Sequence, residues 1–264
     1  MRSLARMLLP LLGVVLWGCS GGPGRVESVR SLDLHARDGV KLAATLYLPD
    51  KPHPPGVILV HREGLNRHSW DGLAERLRSA GYLALSFDLR GHGNSRGQAE
   101  QRLDYRRFSA EDWDRVLSDL DVLRETLIKE GASPENLAIV GEGRGAEWAA
   151  RYAARDLSMQ AVALISPDPG ESLRQAARQL RGRPLLLLAA EGDTASATAV
   201  SALKAESQSF CELHMYPGAA HGTDLFAASQ NALNQVVVWL DPIIGPRASE
   251  QAHGRDGEHR QPAQ

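Results

Sequence analysis

The titratable and glycine-rich segments of this chain are short stretches that each follow an apolar run. His61-Arg62-Glu63-Gly64-Leu65-Asn66-Arg67-His68 follows Val57 to Val60, and Asp88-Leu89-Arg90-Gly91-His92-Gly93-Asn94-Ser95 follows Tyr82 to Phe87. Gly141-Glu142-Gly143-Arg144-Gly145 follows Leu137 to Val140, Glu191-Gly192-Asp193 follows Leu185 to Ala189, and Ala220-His221-Gly222-Thr223-Asp224 lies just beyond Glu212 to Met215. Imidazoles and carboxylates on such loops are the side chains that general acid–base chemistry draws on. Metal and nucleotide chemistry has no comparable support, since the sequence holds no HExxH, no Walker loop and no dinucleotide glycine fingerprint. Cys19 and Cys211 are too few and too badly placed for a disulfide framework or a cysteine zinc site. His253 and His259 lack ligand-like spacing. No cofactor is implied.

These loops need a scaffold that gathers strand ends. Val29 to His35 and Val40 to Leu48 read as an antiparallel hairpin around Arg37-Asp38-Gly39, stopped by Pro49. From Pro55-Gly56 onward, short apolar strands at 57–60, 82–87, 137–140, 161–165, 185–189 and 212–215 alternate with helical stretches at 70–80, 112–130, 146–155, 172–180, 194–207 and 225–240. That grammar predicts an α/β fold: a mostly parallel sheet with an antiparallel N-terminal hairpin and helices on both faces. Ligands of such sheets bind at the carboxyl ends of the strands, where the loops above sit. The 264 residues, 43% hydrophobic and 23% charged, suffice for one large core. A net charge of −2 lacks the basic footprint that nucleic-acid binding needs. Cys211 sits in an alternating strand and reads as a core residue.

Asp88-Leu89-Arg90-Gly91-His92-Gly93-Asn94-Ser95 resembles the DxRGHGxS turn of the α/β-hydrolase family, in particular its small, lidless dienelactone-hydrolase-like members, and the resemblance covers most of Leu32 to Leu240. It implies that His92 is a hydrogen-bonded turn residue. It also implies that Gly141-Glu142-Gly143-Arg144-Gly145 is the nucleophile elbow, GxSxG in the family, on a tight strand-to-helix turn. Gly143 stands where the serine belongs, so the nucleophile is absent. By the same resemblance Asp193 takes the place of the catalytic acid and His221 that of the base, in the family's chain order. The backbone N–H groups of Glu63 and Arg144 take the oxyanion-hole positions. Arg62, Glu63, Glu142 and Arg144 read either as pairs across one pocket or as separate solvated charges. Neither Ser166 nor Glu142 is expected to attack a substrate, Glu142 because it lies one residue from the position that faces the histidine. The stretch between 165 and 185 leaves room for one helix, so no lid is expected.

Arg2 and Arg6 precede an apolar run from Met7 to Trp17 that ends in Gly18-Cys19. This resembles a bacterial lipoprotein signal, with residues 1–18 removed and Cys19 lipidated. Residues 19–28 then form a Gly-rich linker, 29–241 the hydrolase-like domain and 242–264 a polar tail whose composition predicts disorder. The expected protein is lipid-anchored in the bacterial envelope, facing the periplasm, with Ser20 favouring the outer membrane. Its expected function is that of a catalytically degenerate hydrolase-like lipoprotein binding a small molecule or an envelope partner. The alternatives are an active hydrolase of small esters or lactones, using an unidentified nucleophile or a His221-activated water, and a purely structural envelope protein.

Overall fold

A computed structural model describes residues 27–246, except Glu100 and Ser209. The expected signal peptide, Cys19, nearly all of the linker and the tail beyond residue 246 lie outside the described residues. Eight strands form one sheet: β1 (Val29–His35), β2 (Lys41–Tyr47), β3 (Gly56–Val60), β4 (Leu83–Phe87), β7 (Leu137–Glu142), β8 (Met159–Ile165), β9 (Leu185–Ala190) and β10 (Cys211–Tyr216). Their order is β1-β2-β4-β3-β7-β8-β9-β10. β1 pairs antiparallel with β2 and β2 with β4, and every other neighbour is parallel. A separate two-stranded ribbon, β5 (Gly97–Gln98) and β6 (Gln101–Arg102), was not signalled by any apolar pattern.

The central strands are apolar on both sides because both faces are covered. Along β3 successive side chains alternate between two cores, Ile58 and Val60 into one, Val57 and Leu59 into the other. The first core holds α3 (Val116–Lys129), α4 (Arg144–Arg155), α5 (Glu171–Arg178) and α6 (Thr194–Glu206) through Leu123, Trp148, Leu173 and Leu203. The second holds α1 (Asp71–Ser79), α7 (Asp224–Ala228) and α8 (Gln230–Ile244) through Leu73, Leu225 and Val236.

The structure departs from the sequence reading at two helices. The stretch 112–130 is two pieces, α2 (Ala110–Asp114) and α3, with Ser109 and Asp112 forming a capping box at the start of α2. The stretch 225–240 is α7 and α8, separated by Ser229, whose extended backbone (φ −141°) and side-chain acceptor for the Ala232 N–H start a new helix. α8 also passes the expected boundary at Asp241 and buries Ile244 completely, so the domain continues beyond that residue.

Candidate active site

Strand β7 delivers Gly141 and Glu142 to a sharp turn at Gly143, from which α4 starts directly. Gly143 has φ +51° and ψ −125°. The turn is tight enough to exclude side chains on both flanks: a Cβ on Gly141 would lie 2.5 Å from the Gly145 carbonyl oxygen, and one on Gly145 would lie 2.4 Å from the carbonyl oxygens of Val60 and His61. A Cβ on Gly143 would point into the site, 3.4 Å from His221 Nε2 and 2.8 Å from Arg62 Cβ. A side chain at position 143 would therefore face His221, and Arg62 crowds the space it would use.

His221 follows β10 and Asp193 follows β9, and the sheet brings them together. His221 Nδ1 is 2.7 Å from Asp193 Oδ2, with Ser196 Oγ 3.4 Å away on the same nitrogen. A proton on Nδ1 donated to Asp193 leaves the Nε2 lone pair facing Gly143. Burial alone would raise the Asp193 carboxyl, but hydrogen bonds from Ser196 and His221 outweigh it and hold the group below the usual carboxylate range.

The loop that carries His221 is fastened from beneath. Arg62 donates to the His221 carbonyl at 3.3 Å and to Asp224 Oδ2 at 3.2 Å. Glu142, fully buried, accepts the Thr223 N–H at 2.6 Å and the Ser69 hydroxyl at 2.9 Å. Burial raises the Glu142 carboxyl above its ordinary value despite those donors. A Cβ on Gly222 (φ +61°) would meet Glu142 Oε2 at 2.2 Å, so this contact requires glycine. Glu142 thus holds the loop that carries His221, its two oxygens taken by Thr223 and Ser69.

Of the four charges read around the pocket, Glu63 and Arg144 pair at 2.8 Å, and the Arg144 guanidinium lies 4.5 Å over the Trp113 ring. Arg62 pairs with Asp224 instead, and Glu142 takes hydroxyl and backbone donors. α4 begins at Gly143 with no side-chain cap, and the Ala146 N–H bonds to the Gly143 carbonyl at 3.2 Å. Sequence reasoning missed Ser196, Ser69 and Asp168. Asp168, whose N–H donates to the Gly143 carbonyl at 3.4 Å, lies on the loop after β8, a position of the kind that pointed to Asp193.

Two further histidines, His61 and His92, are structural. His61 is fully buried, donates from Nδ1 to its neighbour's carbonyl (Arg62 O, 2.7 Å) and accepts the Leu89 N–H on Nε2 at 2.9 Å. Burial lowers its pKa to about 4. His92 stacks on Tyr105 at 3.8 Å between centroids within the turn. That turn is organised by buried Asp88, which accepts from the Arg67 and Asn94 backbones and from the Arg67 guanidinium. Among the described residues, no cluster of three His, Cys, Asp or Glu side chains is placed to hold a metal ion, and no helix is long and apolar enough to cross a membrane.

The fold is shared with known hydrolases. A dienelactone hydrolase from Anabaena variabilis superposes with a TM-score of 0.64 at 20% identity, covering 81% of this chain and 98% of that one. A dienelactone hydrolase assignment from Klebsiella pneumoniae gives 0.64 at 19% identity over 80% of this chain and 97% of the other. The α/β hydrolase GrgF from a Penicillium species gives 0.69 at 15% identity, covering 82% and 99% of the two chains. At these identities the likeness establishes the fold. The model of the dienelactone hydrolase family matches residues 42–244, which include Gly143, Asp193 and His221, and the chain belongs to that family.

Proposed function

We propose that this protein is a membrane-tethered, catalytically degenerate member of its family that binds a small molecule in the pocket of a former hydrolase. The observation that carries the reading is Gly143: an elbow at φ +51° with no side chain, beside a His221–Asp193 pair still 2.7 Å apart. An acyl-enzyme needs an attacking atom there, and glycine has none. What supports this is a hydrogen-bond acceptor at His221 Nε2, a start of α4 without a side-chain cap, and the Glu63–Arg144–Trp113 rim, with the Arg144 and Glu63 N–H groups assigned as the backbone donors. A ligand offering a hydroxyl to His221 and an oxygen to the backbone donors fits this set. Lipidated Cys19 supplies the tether. A second reading, hydrolysis by water activated on His221, is favoured by the intact pair; in proteases, an oxyanion hole and binding site without a full triad retain about 10³–10⁴-fold catalysis over water.

Serine cannot simply be returned. The left-handed φ costs a non-glycine residue about 1–2 kcal/mol, and the new Cβ would overlap Arg62 Cβ. Hydrolysis of a short-chain activated ester tests the reading across variants. Gly143→Ser is expected to stay near background, and Gly143→Ser combined with Arg62→Gly to gain a His221-dependent rate. A parent chain with a His221-dependent rate of its own would refute the degenerate assignment.

A further inference from the structure

The described chain enters and leaves the fold at one end. The Ser28 carbonyl accepts the Leu48 N–H, Val29 pairs with Tyr47, and Tyr47 pairs with Ala84, so β1 begins beside the amino ends of the parallel strands. α8 returns to the same end, where a Cβ on Gly81, just ahead of β4, would lie 3.0 Å from Pro246 Cγ. Gly143, Asp193 and His221 all follow carboxyl ends of strands. The six residues of β7 put about 20 Å of sheet between the two ends.

The large exposed apolar side chains among the described residues are Leu157, Phe210 and Val238, at 57%, 65% and 62% exposure. Leu157 lies two residues ahead of β8 and Phe210 immediately ahead of β10. Only β9 separates those strands, and their register sets Cys211 level with Val162, so Leu157 and Phe210 lie on connections at the same end of the sheet. Val238 borders a groove shared with Lys51 and Ala80, which precede β3 and β4. All three therefore mark the end where the chain enters, and none marks the end that holds His221.

We propose that this end is the membrane-facing surface, with Leu157 and Phe210 resting on the bilayer and the candidate site turned away from it. The inference rests on the lipid tether at Cys19. Cys19 precedes Val29 by ten residues, at most about 35 Å of chain. The proposed pose leaves that length free, whereas the inverted pose must use about 20 Å of it running back along the sheet. From Cys19 on, the chain has 28 basic and 32 acidic residues, so its net charge supplies no general attraction to anionic headgroups. A site held outward samples solutes of the compartment.

The test uses the full chain isolated with its lipid and reconstituted in vesicles of phosphatidylethanolamine and phosphatidylglycerol. The fluorophore NBD is attached to Leu157→Cys or Phe210→Cys, or to Glu191→Cys at the opposite end, each with Cys211→Ser. Nitroxide lipids are expected to quench the labels at 157 and 210 several-fold more than the label at 191, with no change when phosphatidylglycerol is omitted. Equal quenching, or stronger quenching at 191, overturns the proposal. Self-quenching at 210 that rises with protein concentration, without lipid quenching, assigns the face to a second copy and also overturns it. The mass of the N-terminal peptide reports separately on Cys19. If it carries no acyl group the tether reading fails, and the same labelled variants, with Cys19→Ser and held by an N-terminal hexahistidine segment on nickel-chelating lipid, decide whether this face meets a bilayer.

Discussion

Gly143, Asp193 and His221 were legible from their motifs because each sits in a run of neighbours with a distinctive pattern. The partners that fix their geometry were not, because they come from distant parts of the chain: Arg62 reaches a carbonyl 159 residues away, and Glu142 an N–H 81 residues away. No local spacing reports such contacts, and the clash between Arg62 and any side chain at 143 exists only in the folded state. His61 gives a test at the same scale. Its Nε2 must stay unprotonated to accept the Leu89 N–H, and burial lowers the pKa from 6.5 to about 4. The unfolded chain therefore binds the extra proton first as pH falls, and the stability this group contributes is complete above 6.5 and lost on descending through about 4. The loss is on the order of 3 kcal/mol. Urea titrations between pH 7 and 4 are expected to show that slope in the parent and a flatter one in His61→Gln, whose amide can serve both partners. Equal slopes would mean that another group controls the acid limb.

The strands were readable because two covered faces demand continuous apolar runs, and Val57 to Val60, Leu137 to Val140 and Leu185 to Ala189 have little else. Helix continuity was harder to read. Leu225, Phe226, Ala232 and Leu233 keep the helical spacing of one buried face across the break between α7 and α8, so apolar periodicity reads straight through it. The signal lay in Ser229, a capping residue in the middle of an apolar stretch, as Ser109 with Asp112 signalled the start of α2. Ser229→Ala removes the cap of α8 and is expected to lower the unfolding free energy by about 1 kcal/mol in a urea melt. No change would mean that packing of Leu233 and Val236 alone sets where α8 begins. The turn from Asp88 to Ser95 works as an element too: Gly93 is obligatory because a Cβ there would lie 2.2 Å from Asp88 Oδ2, the oxygen that also accepts the Asn94 N–H.

Across the whole molecule, alternating strands and helices were enough to predict the parallel sheet, its antiparallel opening hairpin and the grouping of polar loops at one end. Sequence patterning says less about which solvent-facing end matters, because exposed apolar residues such as Phe210 carry no periodic signature. It was the topology that sorted chain entry and apolar exposure to one end and the His221–Asp193 pair to the other. What defines this protein is whether that pair, without a side chain at 143, still performs chemistry. The most direct measurement is the rate at which the parent chain, from Ser20 onward, hydrolyses a short-chain activated ester, set against its His221→Ala variant. Equal rates are expected, at the level of a non-enzymatic protein surface. A parent rate well above that of His221→Ala would contradict it, and would mean that His221 activates water or an unrecognised nucleophile in a working hydrolase.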